Sequence, residues 1–547
     1  MGLGRKFAPI RFARFPEVKR AHPFSIWNYI MKFVTAALFM LLSKSVLLSA
    51  TFQAASVSMA AINAAIARAS DGDTVVVPAG VANWTDTLEV TKGITIKGAG
   101  TTNTNTGTVT DATVLLDNVP RGTGQSAALI KATLAPNQSF RLTGFTFRPG
   151  TTSTKANNGA VRLSGKCFSV RIDHCHFEKL YQADQIHTYG WLYGVVDHCV
   201  IDCRGGCTSL KIWHDTWADR TKGDGSWAEP SYWGSDKFIF IEDNIIRNME
   251  SGIVQTNGNI DSKMGGRYVA RYNDFYNTVG PGSHGTEAAP QRGHRASESY
   301  HNVFHWTFPG SGGQLRSGTA LYHDNVYTGA PLNGGIALKE YREFTPFKRF
   351  GGAYGDNSWD LNDKHAPNGG VVPLGGTVKD PGLYATGRHA GANGSFTLVV
   401  AGSPWTRNQW IGYEVVNLDE PHQHTSYCNA YVVSNTSNTI TFPENDTPEF
   451  QPALAFDTGD RFEIRKVIAA LDQPGRGEGK LISSNSTPIW PAQVSDPVYS
   501  WNNKYLPDNT NVEVGSGCSS IRENRDFYNN TPKPGYIPYT YPHPLVK

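Results

Sequence analysis

The sequence predicts an all-β chain, a solenoid of stacked parallel coils, and three observations predict it. A short phrase returns six times between residues 168 and 327 with Asn or Cys at the same place. It reads Val170-Arg-Ile-Asp-His-Cys175-His-Phe177, Val195-Val-Asp-His-Cys199-Val-Ile201, Phe240-Ile-Glu-Asp-Asn244-Ile-Ile246, Val269-Ala-Arg-Tyr-Asn273-Asp-Phe275, Glu298-Ser-Tyr-His-Asn302-Val-Phe304 and Leu321-Tyr-His-Asp-Asn325-Val-Tyr327. The spacings, by subtraction 24, 45, 29, 29 and 23 residues, are unequal, as expected for coils joined by loops of varying length. Hairpin signals between successive strands are scarce, which disfavours the alternative, a β-sandwich with Asn-containing turns.

Each unit supplies a short alternating strand, a residue that tolerates a left-handed turn, and a bulky apolar residue that re-enters the core. Strands stacked in register lie about 4.8 Å apart, so identical Asn side chains can bond to one another up the stack. Ser58 to Arg68 is an Ala-rich amphipathic helix whose place before the coils suits a cap over their open end. Early coils follow over residues 112–165, and two long loops break the rhythm. Residues 207–236 carry Trp213, Trp217, Trp227 and Trp233, and residues 277–295 carry His284 and Glu287. From 391 to 467 the texture changes to alternating strands without the phrase, an inserted antiparallel β module. Residues 468–547 resume the coil and close it with an aromatic, Pro-rich C-terminal cap.

The phrase resembles the right-handed parallel β-helix of the pectate lyase-like superfamily, with its Asn ladder. Val170 to His174 is similar to that family's valine-tryptophan-isoleucine-aspartate-histidine rung. Pro290-Gln-Arg292-Gly-His-Arg295, followed by Tyr300-His-Asn302, is similar to its proline-arginine stretch. The resemblance covers residues 57–385 and speaks for fold more than for one activity, because this architecture hosts lyases, hydrolases, esterases, tailspikes and adhesins.

At 547 residues, 39% hydrophobic and 18% charged, the chain can bury a long core, and 56 Gly suit a turn-rich β protein. A net charge of +3 carries no nucleic-acid footprint. Residues 1–30 are basic and irregular, whereas Met31 opens an apolar run that ends in small residues near Ala54 and Ala55. Residues 1–55 therefore read as a secretory signal, with Met31 a second candidate start, and the protein as secreted, extracellular, cell-surface or periplasmic. A retained anchor is the alternative, weakened by Ser43, Lys44 and Ser45 inside the run. That leaves residues 56–390 as the β-helix. Seven Cys leave one unpaired; Cys203 and Cys207 can close a local loop, while Cys175 and Cys199 sit at ladder positions as buried thiols.

Outward residues at one strand position form a column. One column lies two residues before the ladder: Asp173, Asp197, Glu242, Arg271, Tyr300 and His323. Its three carboxylates could hold Ca²⁺ or form a mutually neutralised structural face. A second column, on the preceding strand of each coil, takes in Arg162, His187, Gln255, His284, Glu287 and Arg316. The resemblance implies that this strand floors a polysaccharide groove. β-Elimination on a uronate needs a base for the C5 proton and cations for the developing carboxylate charge. Arg292, Arg295 and Arg316 supply the cations, and His187 or His284 the base. In the resembled lyases an arginine of the proline-arginine stretch is the base. Here Arg292 and Arg295 lie ten and seven residues before Asn302, off that family's spacing. The four tryptophans and Gln255 are candidate sugar contacts.

Two other readings stay open. Hydrolysis needs two carboxyls, for which Glu287 with Glu298 or Asp236 stands in, without the paired-aspartate signatures of polygalacturonases. A non-catalytic adhesin would use the groove and the module for contact alone. His422, His424 and Cys428 make a loose metal candidate in the module.

Overall fold

A computed structural model describes residues 49–121, 127–151, 159–181, 184–204, 206–250, 259–285, 291–339, 383–411, 413–421, 427–442, 454–465, 472–478, 494–516 and 521–547. The expected signal and anchor, residues 1–48, lie outside it, as do Gln255, Glu287, His422, His424 and the Cys428 side chain. Among the described residues the chain is mostly strand, and no helix is long and apolar enough to cross a membrane.

Strands repeat in three parallel ladders. Sheet one runs through Leu88–Val90, Ile130–Leu134, the first halves of Val161–Asp173 and Asp184–Asp197, Thr208–Trp213 and Asn259–Lys263. Sheet two takes the second halves of the same two long strands and continues through Ile239–Glu242, Arg267–Arg271, Ala296–Tyr300 and Thr319–His323. Sheet three is built from strands that follow the ladder residue, among them His176–Tyr181, Val200–Arg204, Ile245–Asn248, Asp274–Tyr276, Val303–Trp306 and Val326–Gly329. Apolar residues from all three ladders, such as Ile186, Ile172 and Phe177, meet in one core. This order fits a β-solenoid and is consistent with a parallel β-helix.

The turn between sheets two and three shows why the phrase recurs. The left-handed residue is the one before the ladder position: His174, His198, Asp243, Tyr272, His301 and Asp324 have φ between 50° and 57°. That conformation costs roughly 1 kcal/mol for a residue with a side chain, and the ladder offsets it. Asn244, Asn273, Asn302 and Asn325 are buried. Each Nδ2 donates to the next Oδ1, at 3.0, 2.9 and 3.0 Å within the series, and Asn325 reaches Asn503 at 2.9 Å. Cys175 and Cys199 hold the same place in the two preceding repeats as buried free thiols. In sheet three the residue two past the ladder stacks ring on ring: Phe147 on Phe177, Phe275 on Phe304 and Phe304 on Tyr327, at 4.7 to 4.8 Å. Cys203 and Cys207 are disulfide-bonded.

The helix spans Met59–Arg68. Ser58 caps it by accepting from the Ala61 N–H, and Ile62, Ala65 and Ile66 turn into the core. It does not stand first, because Thr51–Gln53 already pair in parallel with Thr74–Val76. The expected leader boundary at Ala54 or Ala55 therefore falls beyond the first strand of sheet two.

Residues 383–465 hold two small antiparallel sheets around a core of their own, including Leu398, Trp405, Val415, Ile440 and Phe456. The parallel stack resumes afterwards, with Leu321 paired to Tyr499 and Val326 to Lys504. The final residues lie along sheet two. Arg171 donates to the Leu545 carbonyl (2.8 Å), Arg271 to those of Tyr539 (2.7 Å) and Thr540 (2.9 Å), and Tyr541 stacks on Tyr272 at 3.8 Å.

Candidate functional site

Sheet one presents the most varied outward column. In register it reads Glu89, Lys131, Arg162, His187, Lys211 and Asp261. Pairing carries on through the Gly282 N–H to the Ile260 carbonyl and the His284 N–H to the Ser262 carbonyl, both 2.8 Å. The column then runs on in register as Gly282, Gln314, Ala337 and Gly515. Two residues along each strand, Tyr189, Trp213 and Lys263 form a parallel row.

Two members of this face were not legible as such. Thr208–Trp213 falls within what reads as a Trp-rich loop, yet Leu210 and Ile212 point into the core and Lys211 faces out. The alternation was there to be read, but the tryptophans dominate the stretch. Asn259–Lys263 offers a single apolar inward residue, Ile260, with Ser262 as the other, so its strand period is hidden.

The chemistry concentrates at Asp261. Its Oδ1 meets His284 Nδ1 at 2.5 Å, with His284 about one-third exposed at 34% and Asp261 at 8%. Burial raises the Asp261 carboxyl, but the charges of His284, Lys211 and Arg316 outweigh it and bring it down to about 2. Asp261 is therefore a carboxylate that orients the imidazole. Lys211 Nζ also donates to Asp184 Oδ2 at 2.7 Å. Burial pushes the Asp184 carboxyl up to about 6 against that lysine, and Asp261 adds repulsion. Farther along, burial raises Asp215 to about 6 although it accepts a bond from Tyr189. Arg162 lies 4.8 Å over the Tyr189 ring, and His187 meets Trp213 edge-on at 4.7 Å. Beside the Asp261–His284 pair, Asn259, Gly280, Gly282, Gln314 and Lys339 line a cleft of about 300 Å³.

His284, Arg316 and Trp213 thus share one face; His187 stands in register in the column but is fully buried, which does not suit it to meet a polysaccharide as the base. Arg292 and Arg295 do not, because both are fully buried. Arg292 makes a two-point pair with Asp472 (2.9 and 2.7 Å), reaches Asp224 at 3.3 Å and covers the Trp227 ring at 4.6 Å. Arg295 pairs with Asp496 at 3.0 Å and donates to the Glu229 carbonyl. These arginines fasten Asp224 and Glu229 of the 207–236 segment to Asp472 and Asp496. Trp217 and Trp227 are buried inside that segment, the latter donating to the Gly293 carbonyl at 2.9 Å, and Trp233 stacks on Phe238.

Asp173, Asp197 and Glu242 do stand in register. Arginines occupy the positions a Ca²⁺ ion would take. Arg141 grips Asp173 with two bonds of 2.7 Å, Arg171 holds Asp197 at 2.8 and 2.7 Å, and Arg271 holds Glu242 at 2.7 Å. The His543 N–H takes the other Glu242 oxygen at 2.8 Å. This donor set does not fit a metal, since its oxygens are already saturated by cations and N–H groups. Among the described residues only Asp111, His176 and Glu178 gather closely enough to hold one. There His176 binds Asp111 at 2.9 Å and Asp202 at 3.3 Å. Burial opposes its charge, but the two carboxylates prevail and raise its pKa, and both ring nitrogens are already engaged by them. No protein-family model matches the chain, and no curated protein matches it.

Proposed function

We propose that the chain is a secreted right-handed parallel β-helix protein of the pectate lyase-like kind that binds an acidic polysaccharide along sheet one and cleaves it by β-elimination. The observation that carries this reading is the Asp261–His284 pair on an outward column beside a cleft, with Lys211 and Arg316 close enough to depress the Asp261 carboxyl. In the proposed step His284 removes the C5 proton of a uronate. The freed electron pair forms the C4–C5 double bond, the C4–O bond breaks, and the departing oxygen takes up a proton. Asp261 stabilises the imidazolium that forms, and Arg316 and Lys211 offset the charge building on the uronate carboxylate. Trp213 and Tyr189 offer ring faces for neighbouring sugars.

One observation favours a glycoside hydrolase as a second reading. Asp184 is raised to about 6 while Asp261 is held near 2, an acid and a carboxylate on one sheet, and Asp215, in the turn after Trp213, is raised to about 6 as well. Incubation with a panel of uronate-containing polysaccharides separates the cases. New absorbance of unsaturated uronate is the expected result. New reducing ends without it would assign a hydrolase, and binding with neither would assign a non-catalytic adhesin.

A further inference from the structure

We propose that His176 is a pH-operated clasp on the hairpin of residues 98–112: with a proton on both ring nitrogens it holds the hairpin across the outer face of sheet three, and on losing one of them it releases the hairpin's base. The inference is independent of the glycan-binding reading of sheet one.

The hairpin is an excursion from the coil. Thr101–Asn103 pairs antiparallel with Thr108–Thr110, between Thr95–Lys97 of sheet two and Thr113–Asp117 of sheet three. Later coils make this passage with a single left-handed residue, whereas here the chain runs out along the stack. Thr102 Oγ1 donates to the His198 carbonyl, and Ile245 Cδ1 lies 3.4 Å from where a Gly107 Cβ would stand. Ile201 and Ile246 turn into the core, so Val200 and Ile245 lie on the outer face. Both are nevertheless buried, Ile245 against the hairpin tip.

One ring ties the hairpin down. Residues 98–112 contain a single titratable side chain, Asp111. Its Oδ1 meets His176 Nδ1 at 2.9 Å and accepts from Thr146 Oγ1 at 2.6 Å, while its Oδ2 accepts from Arg148 at 3.2 Å. The opposite ring nitrogen, Nε2, faces Asp202 Oδ2 at 3.3 Å. A buried imidazole between two carboxylates can donate to both only while it carries both protons; the neutral ring keeps one N–H and turns a lone pair on the other carboxylate. The other charges around it are Glu178, which Arg148 also binds, and Arg247, which grips Asp202 at 2.6 and 2.9 Å.

Water decides which carboxylate is left. The Asp202 side chain is 6% exposed and that of Asp111 25%, so water can take the ring's place at Asp111 and not at Asp202. The remaining proton therefore stays on Nε2, and the bond that breaks is the one to the hairpin. The direction with pH follows. Burial lowers the His176 pKa, but its bonds to Asp202 and Asp111 outweigh that and raise it from 6.5. A raised imidazole contributes a stability that is complete below about 6.5 and is lost as pH rises through the raised value. A two-stranded hairpin without its contacts is marginal in water. Release therefore frees its internal bonds too and bares Ile245.

The test is amide hydrogen exchange of the full chain between about pH 6 and about pH 9, corrected for the intrinsic rate, in the unmodified protein, His176→Gln and Asp111→Asn. In the unmodified protein, protection of residues 99–111 is expected to fall about fivefold or more up that range, while Val200–Arg204 and Ile245–Asn248 of sheet three hold theirs. His176→Gln, neutral at every pH, is expected to show the low value throughout. Should that variant fail to fold, Asp111→Asn, at a part-exposed position, removes the hairpin's charge and is expected to abolish the pH response. Hairpin protection that tracks the sheet-three strands at every pH, or a pH response that survives in a folded variant, overturns the clasp.

Discussion

At the scale of single residues, buried carboxyls of this chain differ in charge. Asp215 is buried at 6% exposure and raised to about 6 from an unfolded value of 3.8. A carboxyl raised on folding binds more protons in the folded state, so it costs stability at neutral pH, and the cost disappears as pH falls through about 6 towards 4. Asp215→Asn keeps an acceptor for Tyr189 and removes the buried charge. It is expected to stabilise by roughly 1–2 kcal/mol near pH 7.5, less than the full shift because one amide position stays unpartnered, and by almost nothing at pH 4. Thermal melting at the two pH values checks this. Asp261 behaves oppositely. Its carboxyl is depressed to about 2, so its pairing with His284 contributes stability that is complete above about pH 4 and is lost only as pH falls through about 2. Little of this was legible in the sequence. His284 and Arg316 stand out as polar residues near a predicted strand, but Asp261 sits in a strand whose inward residues do not alternate visibly, and its partner is 23 residues away.

At the scale of the element, the ladder is what the sequence reveals best, because the left-handed turn and the buried amide leave the same residues in every repeat. Asn302 accepts from the Asn273 backbone N–H (3.1 Å) and Nδ2 (2.9 Å), and donates to Asn325 Oδ1 (3.0 Å) and the Ala270 carbonyl (2.9 Å). Asn302→Ala strips partners from neighbours that water cannot reach and is expected to cost about 3 kcal/mol or more. Cys175→Ala, at the equivalent place, removes a thiol that reaches the Leu142 carbonyl only at 3.9 Å, and should cost about 1 kcal/mol. Chemical denaturation of both variants checks the contrast. The first strand belongs to this scale too. Because Thr51–Gln53 complete an edge of sheet two, the mature N-terminus of exported protein is expected upstream of Thr51 and not at Ala54 or Ala55. N-terminal sequencing decides.

At the scale of the whole chain, distant segments hold each other in ways no local pattern announces. Arg292 and Asp472 are 180 residues apart in sequence and form a fully buried pair, which is why a basic stretch that reads as catalytic is a clamp in the structure. Arg292→Met would leave Asp472 and Asp224 buried without their cation and is expected to cost about 3–5 kcal/mol. Turnover per folded molecule should persist, and activity normalised to the folded fraction by circular dichroism checks it. The carboxylate column of sheet two was legible as a column and ambiguous in purpose. Its purpose becomes visible only with its arginines and the C-terminal segment laid over it, Tyr536 reaching Glu298 at 2.5 Å and His543 reaching Glu242. The inserted module and the return of the stack at Asn503 separate ladder partners by 178 residues, beyond the reach of any repeat spacing.

The central claim is that sheet one carries a base oriented by Asp261. The most direct measurement is the initial rate of unsaturated-uronate formation from an acidic polysaccharide by the unmodified chain and by His284→Ala, with melting midpoints for both. The account predicts turnover by the first, a fall of about 100-fold or more in the second, and matching midpoints. A His284→Ala rate within a few-fold of the unmodified chain, or no unsaturated product from any acidic polysaccharide, would contradict it.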